Sequence, residues 1–105
     1  MSPMSSARDG KPWRFVTNDT QVLLCIAADP DARLRDVAET VRITERASQR
    51  IAADLIEAGY VRRVRVGRRN RYEIERGARM RHPSQREHEI GELLDLLRLE
   101  DSPVE

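Results

Sequence analysis

The chain has 105 residues, which is enough for one small domain with a single hydrophobic core. Its formal net charge is +1, which by itself neither favours nor opposes a polyanionic partner. The single cysteine, Cys25, lies in the apolar run VLLCIA and excludes a disulfide framework.

The N-terminal stretch, MSPMSSARDGKP, lacks both hydrophobic periodicity and the apolar core of a signal peptide. We therefore expect residues 1–12 to form a flexible tail, followed by Trp13 and Phe15 packed against the domain. No stretch of the sequence is long and apolar enough for a membrane span. These features predict a cytoplasmic protein.

Charge is distributed unevenly along the second half of the chain. Residues 60–81 contain nine arginines and two glutamates, whereas residues 82–105 contain two arginines and seven acidic residues. This asymmetry indicates one face for an anion and another face for a different purpose. Arginine suits bidentate contacts with phosphate or guanine, although an arginine-rich composition can equally reflect a GC-rich genome.

The spacing of apolar residues predicts a first helix from a cap at Thr17 or Asn18 to about Ala28. Asp29 ends this helix, because a residue that precedes proline disfavours helical backbone. The side expected to be buried carries Val22, Leu23, Ile26 and Ala27.

A second, shorter helix is predicted over residues 35–41. Leu34 before it is expected in a short strand or as a staple residue, and a tight turn is expected at Arg42. The apolar side of this helix consists of Val37, Ala38 and Val41.

A third helix is predicted over residues 45–58, capped by Thr44. Gly59 stands where a C′ glycine ends a helix. The inward positions expected in this helix are Ile51, Ala52, Leu55 and Ile56.

Period-two alternation predicts two strands, over residues 61–66 and 71–74. The four residues between them, GRRN, are expected to connect the strands as a hairpin, because Gly67 and Asn70 tolerate positive φ. The residues expected to face the core are Val64, Val66, Tyr72 and Ile74.

The end of the sequence is predicted to be a linker over residues 77–83, a last helix over residues 84–99 and a frayed tail at 100–105. Ser84 and Glu87 form an S-x-x-E capping box for this helix. Its apolar stripe can either pair with a second copy of the chain or fold back over its own core, and we favour a homodimer. The stripe consists of Ile90, Leu93, Leu94 and Leu97.

A short helix, a tight turn, a capped second helix, a glycine stop and a basic hairpin follow one another over residues 18–75. The stretches LRDVAETVRITERASQRIAADLIEAGYV and RRVRVGRRNRYEI resemble the winged helix-turn-helix transcriptional regulators, particularly the MarR- and ArsR-like bacterial group. The resemblance implies an α+β, mainly helical fold. A winged helix-turn-helix domain, with a three-helix core and a β-hairpin wing, would span residues 13–76 and precede a C-terminal helix.

Two positions depart from the pattern of this family. Arg42 occupies a turn position that often carries glycine, and a non-glycine residue with positive φ carries some strain. Ser48 stands where the recognition helix often has an apolar residue. Neither departure changes the fold that the resemblance implies.

The resemblance implies a sequence-specific double-stranded DNA-binding transcriptional regulator, whose recognition helix over residues 45–58 enters the major groove. Arginine suits guanine or phosphate, glutamine suits adenine, and alanine suits the methyl group of thymine. A solvated helical face is the alternative interpretation. The contacts expected from this helix are Thr44, Arg46, Ala47, Gln49 and Arg50.

The hairpin over residues 61–74 is the implied wing, lying on the DNA backbone or in the minor groove. The alternative is a solvated hairpin whose arginines only protect an exposed edge. A homodimer would read a near-palindromic operator and would be associated with the nucleoid when bound. The contacts expected from the wing are Arg65, Arg68, Arg69, Asn70 and Arg71.

A different function for the same fold is an adaptor that binds a protein partner without DNA. RNA is less favoured as a partner, because the sequence shows no aromatic platform for stacking bases. His82 and His88 lack the further ligands of a metal site. No nucleophile with its base is recognisable, so neither enzymatic activity nor a cofactor is expected. The sequence does not indicate an effector, the operator or the direction of regulation.

Overall fold

The computed structural model describes residues 15–97. The predictions for the N-terminal tail, for Trp13 and for the end of the last helix beyond residue 97 lie outside these residues. Residues 15–97 form four α-helices and one two-stranded antiparallel sheet, so the α+β, mainly helical class is confirmed. In chain order the elements are α1 (Asn18–Ala28), α2 (Leu34–Val41), α3 (Glu45–Glu57), β1 (Val61–Val66), β2 (Arg69–Ile74) and α4 (Ile90–Leu97).

Helix α1 has the predicted bounds, and the hydroxyl of Thr17 accepts a hydrogen bond from the main-chain N–H of Thr20 at 3.4 Å. Ala27 is exposed, so its predicted burial is wrong. Each residue turns an α-helix by about 100°, which points Ala27 away from the side centred on Ile26. Phe15 is 89% exposed, so its expected burial is wrong.

Helix α2 begins at Leu34 itself, so the alternative of a short strand at this residue is wrong. The cap residue before it, Arg33, has extended backbone, and Leu34 is already helical. The turn after α2 is as predicted: Arg42 has φ 71° and ψ 48°, in the left-handed region. The carbonyl oxygen of Ala38 accepts from the main-chain N–H groups of Arg42 and Ile43, at 2.7 and 3.0 Å.

Helix α3 begins and ends close to its predicted bounds. The Thr44 hydroxyl caps it by accepting from the main-chain N–H of Ala47 at 3.0 Å. At the other end Gly59 has φ 91°, and the main-chain N–H of Tyr60 donates to the carbonyl of Leu55 at 3.0 Å, which is the Schellman arrangement. The buried residues of α3 are Ser48, Ile51, Ala52 and Leu55, whereas Ile56 is half-buried.

The hairpin connection is shorter than predicted. Val66 pairs with Arg69, so only Gly67 and Arg68 connect the strands, and Asn70 belongs to β2. Gly67 has φ 61°, which fits the positive φ that two-residue hairpin turns require. The prediction of a four-residue connection, GRRN, is therefore wrong, because its last two residues, Arg69 and Asn70, belong to β2.

The strand register decides which side of the hairpin faces the helices. Val61 pairs with Ile74 and Arg63 pairs with Tyr72, and directly opposite residues share one face. Val61 and Tyr72 are buried, so this face is the core side. Side chains alternate along a strand, so Val64 and Val66 lie on the face opposite to that of Val61. The prediction that these two valines face the core is therefore wrong, and Val66 is 56% exposed.

The predicted linker is held by hydrogen bonds to the residues that follow it and to the residue after the α3 stop. The main-chain N–H of Met80 donates to the carbonyl of His88 at 3.0 Å, so the segment folds back on itself. The main-chain N–H of Arg81 donates to the hydroxyl of Tyr60 at 2.8 Å, which ties the segment to the end of α3.

Helix α4 starts later than the capping box at Ser84 predicted. The main-chain N–H of Ser84 donates to the His82 ring at 3.2 Å within a short 3₁₀ turn over Pro83–Gln85. The carboxylate of Glu92 instead accepts from the main-chain N–H of Glu89 at 3.1 Å. This bond is one half of a capping box, and the helix starts at Ile90.

Helix α4 packs against α1, and its apolar stripe is mostly turned inward. Ile90 and Leu94 lie in the core of the single chain, as the fold-back alternative expects, and the dimer interface stays a prediction. Leu93 and Leu97 are half-buried, and Leu96 is 79% exposed. Within residues 15–97, no helix has the length and apolar character needed to cross a membrane.

Candidate nucleic-acid interface

A groove of about 640 Å³ opens between α3, the start of α2 and the core side of the hairpin. Helix α3 lines one wall with Glu45, Gln49 and Ala53, and Tyr72 and Asn70 of β2 line the opposite wall. We call it the arginine groove, after the five arginines along it, which are Arg33, Arg35, Arg63, Arg68 and Arg69.

Most of this positive charge has no internal partner. Within residues 15–97, the guanidinium groups of four of the five arginines make no hydrogen bond or ion pair, the exception being Arg69. The two acids of the groove are both engaged: Asp31 pairs with Arg71 at 3.3 Å, and Glu45 accepts from the Gln49 amide at 3.3 Å. Five arginines against two acids leave the lining with an excess of positive charge, and such a cleft concentrates counter-ions, so the groove favours an anion.

The exposed face of α3 lies beside this groove. Arg46 and Arg50 are exposed, and within the described part of the chain their side chains have no partner. Gln49 is exposed but bonded to Glu45, and its long 3.3 Å contact is readily exchanged for another acceptor. Of the remaining predicted residues of α3, Thr44 uses its hydroxyl for the cap and Ala47 is half-buried.

The predicted residues of the hairpin are divided by the structure. Arg68 and Asn70 lie in the groove. Arg65 bends back to its own turn, where Nε donates to the carbonyl of Gly67 at 3.1 Å. Arg69 and Arg71 are engaged with Asp31 in the loop between α1 and α2, through its carbonyl at 2.9 Å and its carboxylate at 3.3 Å.

The outer side of the hairpin is largely neutralised. Arg62 lies 2.7 Å from Glu73 and 3.4 Å from Glu75. The hydrogen bond with Glu73, followed by the charges of Glu75 and Glu73, raises the pKa of Arg62. The unpaired positive charge of the hairpin is therefore concentrated on the side that faces α3.

Three arginines of the groove were missed from the sequence: Arg33, Arg35 and Arg63. Arg33 and Arg35 could have been found from the sequence, because they flank Leu34 at the start of the helix that packs against α3. The orientation of Arg63 follows only from the register of β1, which the alternation of the strand did not fix.

The cysteine and the histidines of the described part of the chain do not form a reactive or metal-binding group. Burial raises the pKa of the Cys25 thiol, which lowers the thiolate fraction that reacts. Residues 15–97 contain no group of three or more His, Cys, Asp or Glu side chains arranged to hold a metal ion. His88 is bonded to Glu92 at 2.9 Å, and the His82 ring to Ser84.

Comparison of the chain with protein-family models, with curated proteins and with solved structures finds no match.

Proposed function

We propose that the protein is a winged helix-turn-helix transcriptional regulator that binds double-stranded DNA in a sequence-specific manner. Helix α3 is the recognition helix in the major groove, and the hairpin is the wing on the backbone or in the minor groove. The observation that carries the proposal is the unpaired arginine at the start of α2 and on the hairpin, along one cleft whose other wall is α3.

The chemistry of the exposed α3 face supports base reading. Arg46 and Arg50 each present a guanidinium group that can bond both O6 and N7 of guanine, and the Gln49 amide can bond N6 and N7 of adenine. All three side chains are exposed, and within residues 15–97 the single bond among them is the Gln49–Glu45 contact. They therefore need little rearrangement to meet a base edge.

The distribution of apolar side chains favours DNA over a protein partner. Protein interfaces are usually anchored by large apolar or aromatic side chains in their centre. The exposed large apolar residues within 15–97 are Phe15, Val66 and Leu96, and none of them belongs to α3. An adaptor that used α3 would lack such an anchor.

A homodimer on a near-palindromic operator remains part of the proposal. The available apolar surface on α4 is Leu96, flanked by the half-buried Leu93 and Leu97. Leu96→Glu should convert a dimer to a monomer in light scattering without lowering the melting temperature of the monomer. A wild-type protein that is monomeric at all concentrations tested would remove the dimer from the proposal.

The experiment for the proposed function selects duplexes from a random-sequence pool and measures the affinity of variants for the enriched sequence. Arg46→Gln with Arg50→Gln should lower affinity about tenfold or more, because each bidentate base contact contributes about 1–3 kcal/mol. Arg86→Gln is the matched control, since Arg86 is exposed, outside the groove and without a side-chain partner within 15–97. No enrichment, or equal losses in both variants, would count against the proposal.

A further inference from the structure

Apart from Arg68 in the hairpin turn, the arginines around the groove fall into two sets that differ in what they already contact. One set consists of Arg69 and Arg71 in β2, which are bonded to the loop between α1 and α2. The other set consists of Arg33, Arg35 and Arg63, whose guanidinium groups are without a partner within residues 15–97 and which line the groove.

The first set acts on one short stretch of backbone. Arg69 donates to the carbonyl of Asp31 at 2.9 Å, and Arg71 donates to both carboxylate oxygens of Asp31 at 3.3 Å. Beside them, the main-chain N–H of Tyr72 donates to the carbonyl of Pro30 at 2.9 Å. Three neighbouring residues of β2 therefore hold one loop, which fixes the angle of the hairpin relative to the helices.

The second set comes from two elements that face each other across the cleft. Arg33 and Arg35 lie at the start of α2, and Arg63 lies on the core side of β1, opposite Tyr72. The groove lining holds five arginines and two acids, and one of these acids, Asp31, is already paired with Arg71, so positive charge is in excess. A cleft with an excess of positive charge attracts an anion.

We infer, on the basis of the proposed function, that Arg33, Arg35 and Arg63 bind phosphates of the DNA backbone. Arg69 and Arg71 are positioning residues that hold the hairpin through Asp31. The DNA-binding surface thus extends towards the start of α2. It does not include two arginines of β2, Arg69 and Arg71.

The two sets are distinguished by the salt dependence of duplex affinity, measured by fluorescence anisotropy. Each phosphate contact contributes about 0.9 to the slope of log K against log salt concentration. Arg33→Gln, Arg35→Gln and Arg63→Gln should each reduce the slope by about 0.9 and leave the melting temperature unchanged. Arg69→Gln, Arg71→Gln and Asp31→Asn should keep the wild-type slope and lower the melting temperature. Arg86→Gln, as matched control, should change neither quantity.

Wild-type slopes in the three groove variants, or slopes reduced in Arg69→Gln and Arg71→Gln, would overturn the inference while the proposed function stands. A wild-type protein without salt-dependent duplex binding overturns the proposed function and the inference together. Pyrophosphate is the probe for a small anion as the occupant. Loss of pyrophosphate binding in the groove variants, with the duplex slope unchanged, would make the groove a small-anion site and overturn the inference.

Discussion

The hydroxyl group of Ser48 in α3 donates a hydrogen bond to the main-chain carbonyl of Leu34, the first residue of α2, over 2.9 Å. Ser48 is 0% exposed, and its hydroxyl also lies 2.9 Å from the carbonyl of Glu45, so two acceptors share one proton. Leu34 stands between Arg33 and Arg35. The bond therefore fixes the start of α2 against the wall of the groove that α3 forms.

Ser48→Ala should lower the free energy of unfolding by about 0.5–1 kcal/mol, since a buried hydrogen bond is lost while alanine improves helix propensity. Urea denaturation measures this difference. The matched control is Thr40→Ala. The Thr40 hydroxyl is exposed and donates to the main-chain carbonyl of Asp36 within α2, so its removal should be nearly neutral. A Ser48→Ala variant as stable as Thr40→Ala would mean that the bond does not stabilise the contact between α2 and α3.

The left-handed backbone of Arg42 predicts a stabilising substitution. Arg42 has φ 71°, and such a conformation costs a non-glycine residue about 1 kcal/mol or more. Arg42→Gly should raise the free energy of unfolding by up to about 1 kcal/mol, after the entropy that glycine adds to the unfolded chain. Gly59→Ala is the reciprocal control: at φ 91° with no atom within 4 Å of the added Cβ, it should be destabilising through backbone conformation alone. Equal stability of all three proteins would contradict this account.

Close packing at Gly91 predicts a destabilising substitution. A Cβ at this position would lie 3.0 Å from the carbonyl oxygen of Arg76 and 3.1 Å from its Cβ. Gly91→Ala must push α4 away from this backbone and should cost about 1–3 kcal/mol in thermal or chemical unfolding. Gly77→Ala, where a Cβ meets no atom within 4 Å, is the control and should be neutral or slightly stabilising. If the two variants unfold alike, the packing of α4 is looser than described.

The start of α4 predicts a dependence on acid. The hydrogen bond with His88, ahead of the one from the main-chain N–H of Glu89, holds the pKa of Glu92 below its ordinary value of 4.5. A carboxyl whose pKa is lower in the folded state stabilises the fold above the unfolded pKa, and this contribution is lost as pH falls through the folded pKa. The melting temperature of the wild type should exceed that of Glu92→Gln at neutral pH, and the difference should shrink below about pH 4.5. A difference that grows on acidification would have the wrong sign.

The sequence predicted those elements whose signals are local. Thr44 and Gly59 mark the two ends of α3 because a cap hydroxyl and a positive φ act within one turn of helix. The resemblance placed Arg42 at the turn position that often carries glycine, and its φ of 71° agrees.

The features that were missed depend on competing signals or on distant contacts. Alternation in β1 allows either face to be buried, and only the packing of Val61 against the helices selects one. Two residues compete for the start of α4, since Ser84 and Glu89 each precede a glutamate by three positions. The main-chain N–H of Ser84 donates to the His82 ring, whereas that of Glu89 donates to the Glu92 carboxylate. The convergence of Arg33 and Arg35 on the hairpin requires the tertiary fold.

The ratio of two affinities tests the central claim most directly. Fluorescence anisotropy would compare the duplex enriched from a random pool with a shuffled duplex of the same length and composition, at one salt concentration. A sequence-specific regulator should bind the enriched duplex about a thousandfold more tightly or better. Equal affinity for the two duplexes would contradict the assignment of α3 as a recognition helix.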